Sequence, residues 1–308
     1  MTTTTITVRA PASTTNLGPG FDVLGLALEL HNELQVERVE EALPGPVRVE
    51  VEGEGAGLLE RDAANLAWQG IARLYAAIGR PAPGVILRHR NQIPVSRGLG
   101  SSSTAIVGGL VAGNALAGEP LDREALLALA VEMEGHPDNV TPALLGGFQV
   151  MSLTAAGLVH LRLPTPPGLT AVVCVPDVAV STAEARRVLP SHYTRQDAVF
   201  NVGRVALLVA GLLTGQLGVL QSAMEDRIHQ PYRADLIPGF QAALEGAHRA
   251  GAVGACLSGS GSTLLALVQG DPEPVGAAMV AAVERAGATA RWLSLAVAEE
   301  GAAVLRPA

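Results

Sequence analysis

No lysine occurs among the 308 residues; all 21 basic side chains are arginines. That single absence excludes three phosphate-handling devices. A P-loop NTPase needs a lysine after its last loop glycine, a protein kinase needs one on a strand facing the nucleotide, and a pyridoxal-phosphate enzyme needs one for its Schiff base. Cysteine is nearly as scarce: Cys174 and Cys256 have no Cys or His at metal-binding spacing and read as buried thiols of a reducing, cytoplasmic setting. Aromatics are 3% of the chain, so its cores must be built from Leu, Val, Ile and Ala. Basic runs are missing and the formal net charge is −8, which argues against nucleic acid as a partner. No basic segment followed by an apolar block opens the chain, so no signal peptide is expected. The most apolar run, Val205 to Leu220, is broken by Thr214, Gly215 and Gln216 and falls short of the roughly 20 residues a bilayer requires. It predicts a buried helix and no membrane partner.

What is abundant is glycine and serine in loops. Pro94-Val95-Ser96-Arg97-Gly98-Leu99-Gly100-Ser101-Ser102-Ser103-Thr104 leads into a long small-residue segment ending near Leu116. Gly98 and Gly100 can take backbone angles other residues avoid, and the serines stand where a helix begins, so successive N–H groups can face one anion. Phosphate fits that description. The dinucleotide fingerprint G-x-G-x-x-G does not, because its third glycine is Ser103 and the following segment, Leu121 to Met133, reads as helix. A side chain at Gly100 is expected to press on the phosphate.

Periodicity predicts strands at Ile6–Arg9, Val36–Val39, Val47–Glu52 and Val85–Arg90, with a helix from Asn65 to Ile78. Helices follow over 102–116 and 122–133, the second capped by Asp122, then a loop Glu134-Gly-His-Pro-Asp-Asn-Val, then strands to about residue 163. Pro164-Thr-Pro-Pro-Gly reads as a linker. Beyond it, a strand at 170–175, helices at 183–188, 198–213, 217–225 and 238–250, a strand-turn-strand over 254–267, a helix at 275–286 and a strand at 290–298 complete the chain. The expected fold class is α+β in two domains, 1–163 and 164–308.

Three stretches carry a family resemblance: Pro11-Ala-Ser-Thr-Thr-Asn-Leu-Gly-Pro-Gly-Phe-Asp, the serine loop at 94–104, and Gly254-Ala-Cys-Leu-Ser-Gly-Ser-Gly-Ser-Thr. Their order and content resemble the signature motifs of the GHMP kinases and, within that superfamily, the homoserine kinase family. The resemblance implies a two-domain GHMP fold, ATP and Mg2+, L-homoserine as acceptor, and a homodimer. It places the nucleotide on Asn65 and on 94–104, although Asn65 is equally a good helix cap. It implies Ser101 and Glu134 as metal ligands, with Glu132 two residues away as the competing acid. The substrate carboxylate falls to Arg186 and Arg233, the ammonium to Asn16 and Asp22, and the hydroxyl to Asn139 with His136 nearby. Catalysis then rests on Glu134, Asn139 and Ser101, with Asp138 as a base candidate that the resemblance does not require. A mevalonate-type kinase and a nucleotide-binding sensor without turnover stay open as alternatives.

Overall fold

β-Branched residues alternating with polar ones commit the opening segment to a strand. In a computed structural model, which describes residues 4–39 and 45–305, this is β1 (Thr5–Thr15). It runs past the alternating part into the first motif and pairs antiparallel with β2 (Leu24–Arg38), with a bulge at Pro11/Ala12, where proline has no N–H for the ladder. β3 (Val47–Gly53), α1 (Leu66–Ala77) and β4 (Val85–Asn91) make a βαβ unit in which β3 and β4 are parallel.

α2 (Ser101–Leu116) is buried on most faces, and α3 (Arg123–Glu134) starts from the Asp122 cap, whose side chain accepts the N–H of Ala125. The expected loop after it contains a helix, α4 (Pro137–Leu145). Its prolines hid it. Pro137 sits in the first turn, where a missing N–H costs nothing, and Pro142 leaves only the Asp138 carbonyl without its helical donor. β5 (Phe148–Thr154) and β6 (Gly157–Leu163) form a hairpin.

The chain then crosses to β7 (Leu169–Pro176), followed by α5 (Thr182–Arg187) and α6 (Arg195–Thr214). α6 begins earlier than expected and stops at Gly215, whose φ is 69°. It is not the buried helix that its apolarity predicts. Leu208 and Leu212 pack inward, while Val199, Val202, Leu207 and Leu213 are exposed. It alone among the described residues is long and apolar enough to cross a membrane. Short helices α7 (Leu220–Ala223) and α8 (Gln230–Arg233) precede α9 (Phe240–Arg249), β8 (Gly254–Leu257), β9 (Leu264–Gln269), α10 (Glu273–Arg285), β10 (Ala290–Leu295) and β11 (Ala303–Leu305).

Two sheets result. The first has seven strands along β11-β1-β2-β4-β3, with β5 on β2 and β6 on β5; the second runs β10-β7-β9-β8. One core lies between the first sheet and α1 to α4, another between the second sheet and α9 and α10. A third is shared: Leu24 and Leu26 of β2 and Leu99 of the serine loop pack with Val173 of β7, Leu208 of α6 and Leu265 of β9. This shared core places the three glycine-rich motifs at the seam between the sheets.

Candidate active site

The serine loop is held from both sides of the seam. Ser13 N–H donates to Leu99 O at 3.1 Å from the first sheet, while Thr263 N–H donates to Arg97 O at 3.0 Å and Ser258 Oγ to Gly98 O at 2.7 Å from the second. Gly98 and Gly100 take φ of 76° and 73°. Gly100 is the cap of α2 and has no side chain to offer, and the first helical bond runs from Thr104 N–H to Gly100 O. The N–H groups of Ser101, Ser102 and Ser103 therefore have no helical acceptor. They stand at the edge of a cavity of ≈ 350 Å3 lined by Asn65, by residues 94–102 and by Thr104, with His89 also in its wall. Burial pushes the His89 imidazole down to about 4, so it is neutral there. Ser103 is turned away from the cavity. Asn65 caps α1 through bonds from the Ala67 and Trp68 N–H groups, and it also lines the cavity.

Ser102 Oγ and Ser103 Oγ both donate to Glu134 Oε1, at 3.2 and 2.9 Å. The hydroxyl of Ser101 lines the cavity and has no protein partner among the described residues. Glu132 faces elsewhere, in an exposed ion pair with Arg73 at 2.7 Å, and the hydrogen bond from Arg73 lowers its pKa. Of these two acids, Glu134 presents its carboxylate to the serines. A carboxylate among hydroxyls is a hard-oxygen donor set that suits magnesium. No cluster of three His, Cys, Asp or Glu side chains occurs among the described residues.

At the start of α4, His136 Nδ1 and Asp138 Oδ1 are 2.6 Å apart. Burial opposes the charged imidazole, but the hydrogen bond and charge of Asp138, helped by Glu134, raise the His136 pKa. Burial likewise opposes the Asp138 carboxylate, yet His136 holds its pKa below the usual range. Asn139 is fixed by Ser13, whose Oγ donates to Oδ1 at 2.8 Å; its amide nitrogen reaches Asp138 Oδ1 only at 3.4 Å. An amide hydrogen is thus left for an incoming oxygen at the cavity wall.

The remaining predicted residues gather around Gly259 of the third motif. Asn16 Nδ2 and Arg233 Nη1 donate to Gly259 O at 3.1 and 3.0 Å, and Asn16 Oδ1 accepts the Asp22 N–H. Asn16 and Asp22 hold φ of 67° and 59°, a conformation that persists in non-glycine residues only where surroundings dictate it. Arg186 grips Asp22 with both Nη atoms, at 2.9 and 3.2 Å. Arg233 is buried, with its other bonds to Ala185 O and His229, and among the described residues it has no carboxylate in ion-pair range. Burial first, then the charge of Arg186, pulls its pKa down to about 10. Both guanidiniums lie over the Phe21 ring, at 5.4 and 5.3 Å. The structure brings every predicted site residue to this seam. Periodicity and motif reading passed over Ser13 and Phe21; their only signal was membership of the first motif.

The family profile described as GHMP kinases N terminal domain matches residues 65–147, and GHMP kinases C terminal matches 208–286. The chain is 45% identical to the homoserine kinase of Microchaete diplosiphon, over 97% of each chain. It is 44% identical to that of Moorella thermoacetica, over 97% of this chain and 99% of the other. The solved structure of homoserine kinase from Cytophaga hutchinsonii superposes with a TM-score of 0.89 at 33% identity, covering 98% of this chain and 97% of that one. The chain is therefore a member of the GHMP kinase superfamily, an ATP-dependent kinase that acts on a hydroxyl group. Within that superfamily it belongs to the homoserine kinase family.

Proposed function

We propose that this chain transfers the γ-phosphoryl group of ATP to the side-chain hydroxyl of L-homoserine, giving O-phospho-L-homoserine on the route to threonine. The observation that carries this reading is Arg233, a buried cation that among the described residues has no carboxylate in ion-pair range, beside the Asp22–Arg186 ion pair. A buried guanidinium left uncompensated is costly unless an anion arrives. A zwitterion fits this cluster: its carboxylate goes to Arg233 and Arg186, and its ammonium shares Asp22 with Arg186 and takes the second lone pair of Asn16 Oδ1.

The nucleotide lies in the cavity beside Asn65, with its phosphates on the free N–H groups of Ser101 to Ser103 and the positive end of α2. Glu134 and Ser101 would hold magnesium, which when bound would supply charge neutralisation at the phosphate oxygens. Asn139, fixed by Ser13, aims the acceptor hydroxyl so that the new O–P bond forms as the bond to the leaving diphosphate breaks. Asp138 is a weak base because His136 depresses its pKa, and the γ-phosphate oxygens take the hydroxyl proton late in transfer.

The same reading treats 1–163 as the ATP-binding unit and 164–308 as the second unit, with β11 returned across that boundary. It places the protein in the cytoplasm as a homodimer, for which the uncharged exposed stripe of Val199, Val202 and Leu213 on α6 offers a surface. A coupled ADP-release assay with L-homoserine, mevalonate, shikimate and galactose tests the reaction. Turnover is expected with homoserine; equal turnover with mevalonate, which has no ammonium group, overturns the assignment.

A further inference from the structure

His229 lies beneath the two arginines, outside all three motifs. Its side chain is wholly buried, and each ring nitrogen has a partner that fixes its role. Nε2 is 2.7 Å from the carbonyl oxygen of Gly18, which can only accept, so Nε2 carries the hydrogen. Nδ1 is 3.3 Å from Arg233 Nη1, which can only donate, so Nδ1 offers its lone pair. The ring is therefore neutral. Burial favours that state most strongly and the charge of Arg233 adds to it; Asp226, 3.6 Å from Nε2, together with Asp22 and the Gly18 carbonyl, pulls the other way and loses.

The histidine is itself anchored. Asp226 accepts the N–H groups of Ile228, His229 and Gln230 and an amide hydrogen of Asn201, which fixes the backbone at the start of α8. The imidazole stacks on Phe21 with ring centroids 5.2 Å apart, and the Arg186 and Arg233 guanidiniums lie over the same Phe21 ring.

Arg233 faces two conflicting demands. It must be held still in a buried place, yet its charge must stay available to an incoming anion. A carboxylate partner would satisfy the first and cancel the second. A neutral imidazole acceptor satisfies both, as do the carbonyls of Ala185 and Gly259 that take its other bonds. We propose that His229 is a positioning residue of the substrate-carboxylate clamp: its neutral Nδ1 orients Arg233 without neutralising it. The inference rests on the assignment of Arg233 to the homoserine carboxylate.

Two substitutions separate the bonds. His229→Gln puts an amide N–H where Nε2 stood, keeping the bond to Gly18 and withdrawing the acceptor from Arg233. His229→Asn puts an amide oxygen near Nδ1, keeping the bond to Arg233 and losing the one to Gly18. Loss of a hydrogen bond to a charged group predicts that His229→Gln raises KM for L-homoserine about 10- to 100-fold. KM for ATP should stay within about twofold and kcat should change little, the pattern of lost ground-state binding. His229→Asn should keep KM for homoserine within about threefold while melting at lower temperature. An unchanged homoserine KM in His229→Gln overturns the proposal, and so does a parallel rise in both KM values in both variants, which marks general damage. If His229→Gln cannot be recovered folded, His229→Asn decides: a near-wild-type homoserine KM supports the role, and a tenfold rise overturns it. Absence of homoserine-dependent ADP release in the wild type would defeat the proposed function and this inference together. Wild-type activity with either overturning pattern defeats the inference alone.

Discussion

Asp138 occupies the position where a general base is easiest to imagine, and its surroundings argue that it is something else. Its carboxylate is buried and takes hydrogen bonds from His136 and, at longer range, Asn139. The pair has a defined pH window. The His136 pKa is raised above its ordinary 6.5, so its contribution to stability is complete below that value and fades as pH rises through the folded pKa. The Asp138 pKa is lowered below 3.8, so its contribution holds above that value and fades only in stronger acid. The pair should stabilise most from about pH 4 to 6.5. Asp138→Asn is expected to retain turnover within about tenfold, since a missing base costs about 10²- to 10⁴-fold. It should also shrink the stability gap to wild type as urea midpoints are compared from pH 5.5 up to 8.5. Loss of turnover beyond a hundredfold would restore Asp138 as the base.

At the scale of elements, the start of α2 depends on one glycine. Gly100 has φ of 73°, and a Cβ built there would strike Ser13 Oγ and come within 3.1 Å of Asn139 Oδ1. The collision is with the Ser13–Asn139 pair, to which the proposed mechanism gives the aiming of the acceptor, whereas the sequence alone pointed to the phosphate. Gly100→Ala should therefore lower kcat as well as ATP affinity. Gly118→Ala is the control: its φ is 88° but the added carbon meets nothing within 4 Å. Both changes carry a backbone penalty of about 1 kcal/mol, and only the first should affect kinetics; equal kinetic losses would refute the collision argument. The contrast shows where sequence reasoning stops. α1 and α3 were legible because caps and 3.6-residue spacing are local, and α2 because a long run of small apolar residues follows the serine loop. α4 was not, because Pro137 and Pro142 look like breakers until their positions in the turn are known. The twenty-residue α6 was legible as a helix but not as half-exposed, because apolar residues all round do not say which face finds a partner. The motifs pointed to the arginines and the first-motif acid, but their mutual geometry, with Arg186 on Asp22 and Arg233 on a neutral histidine, is long-range and has no spacing to read.

At the scale of the whole molecule, the first sheet is completed by the far end of the chain. Ala298 N–H donates to Ala27 O, Gly147 N–H donates to Ala298 O, and Ala302 N–H donates to Ala143 O at 2.8 Å. Arg123 Nη2 closes the same point by donating to Ala302 O, and β11 then pairs with β1 through Thr7, Val8 and Arg9. Gly301 lies so close to the Leu144 carbonyl that no side chain would fit. These contacts fasten the C-terminal end of α4, the helix whose other end bears His136, Asp138 and Asn139. β11 is three residues long, too short for alternation to reveal it. Removing Gly301 to Ala308 opens the edge of β1, uncovers the buried Ala302 position and strips Arg123 of a carbonyl partner. At about 0.5–1.5 kcal/mol per net hydrogen bond and more for the charged one, the loss is on the order of 4 kcal/mol. Urea unfolding should show a clearly lower midpoint for the truncated chain, and Arg123→Ala should reproduce part of the shift by removing the guanidinium bonds alone. Because the tail touches the opposite end of α4 from Asn139, the fraction still folded should keep its KM for homoserine. A truncated chain with an unchanged midpoint would mean that the first sheet is complete without its last strand.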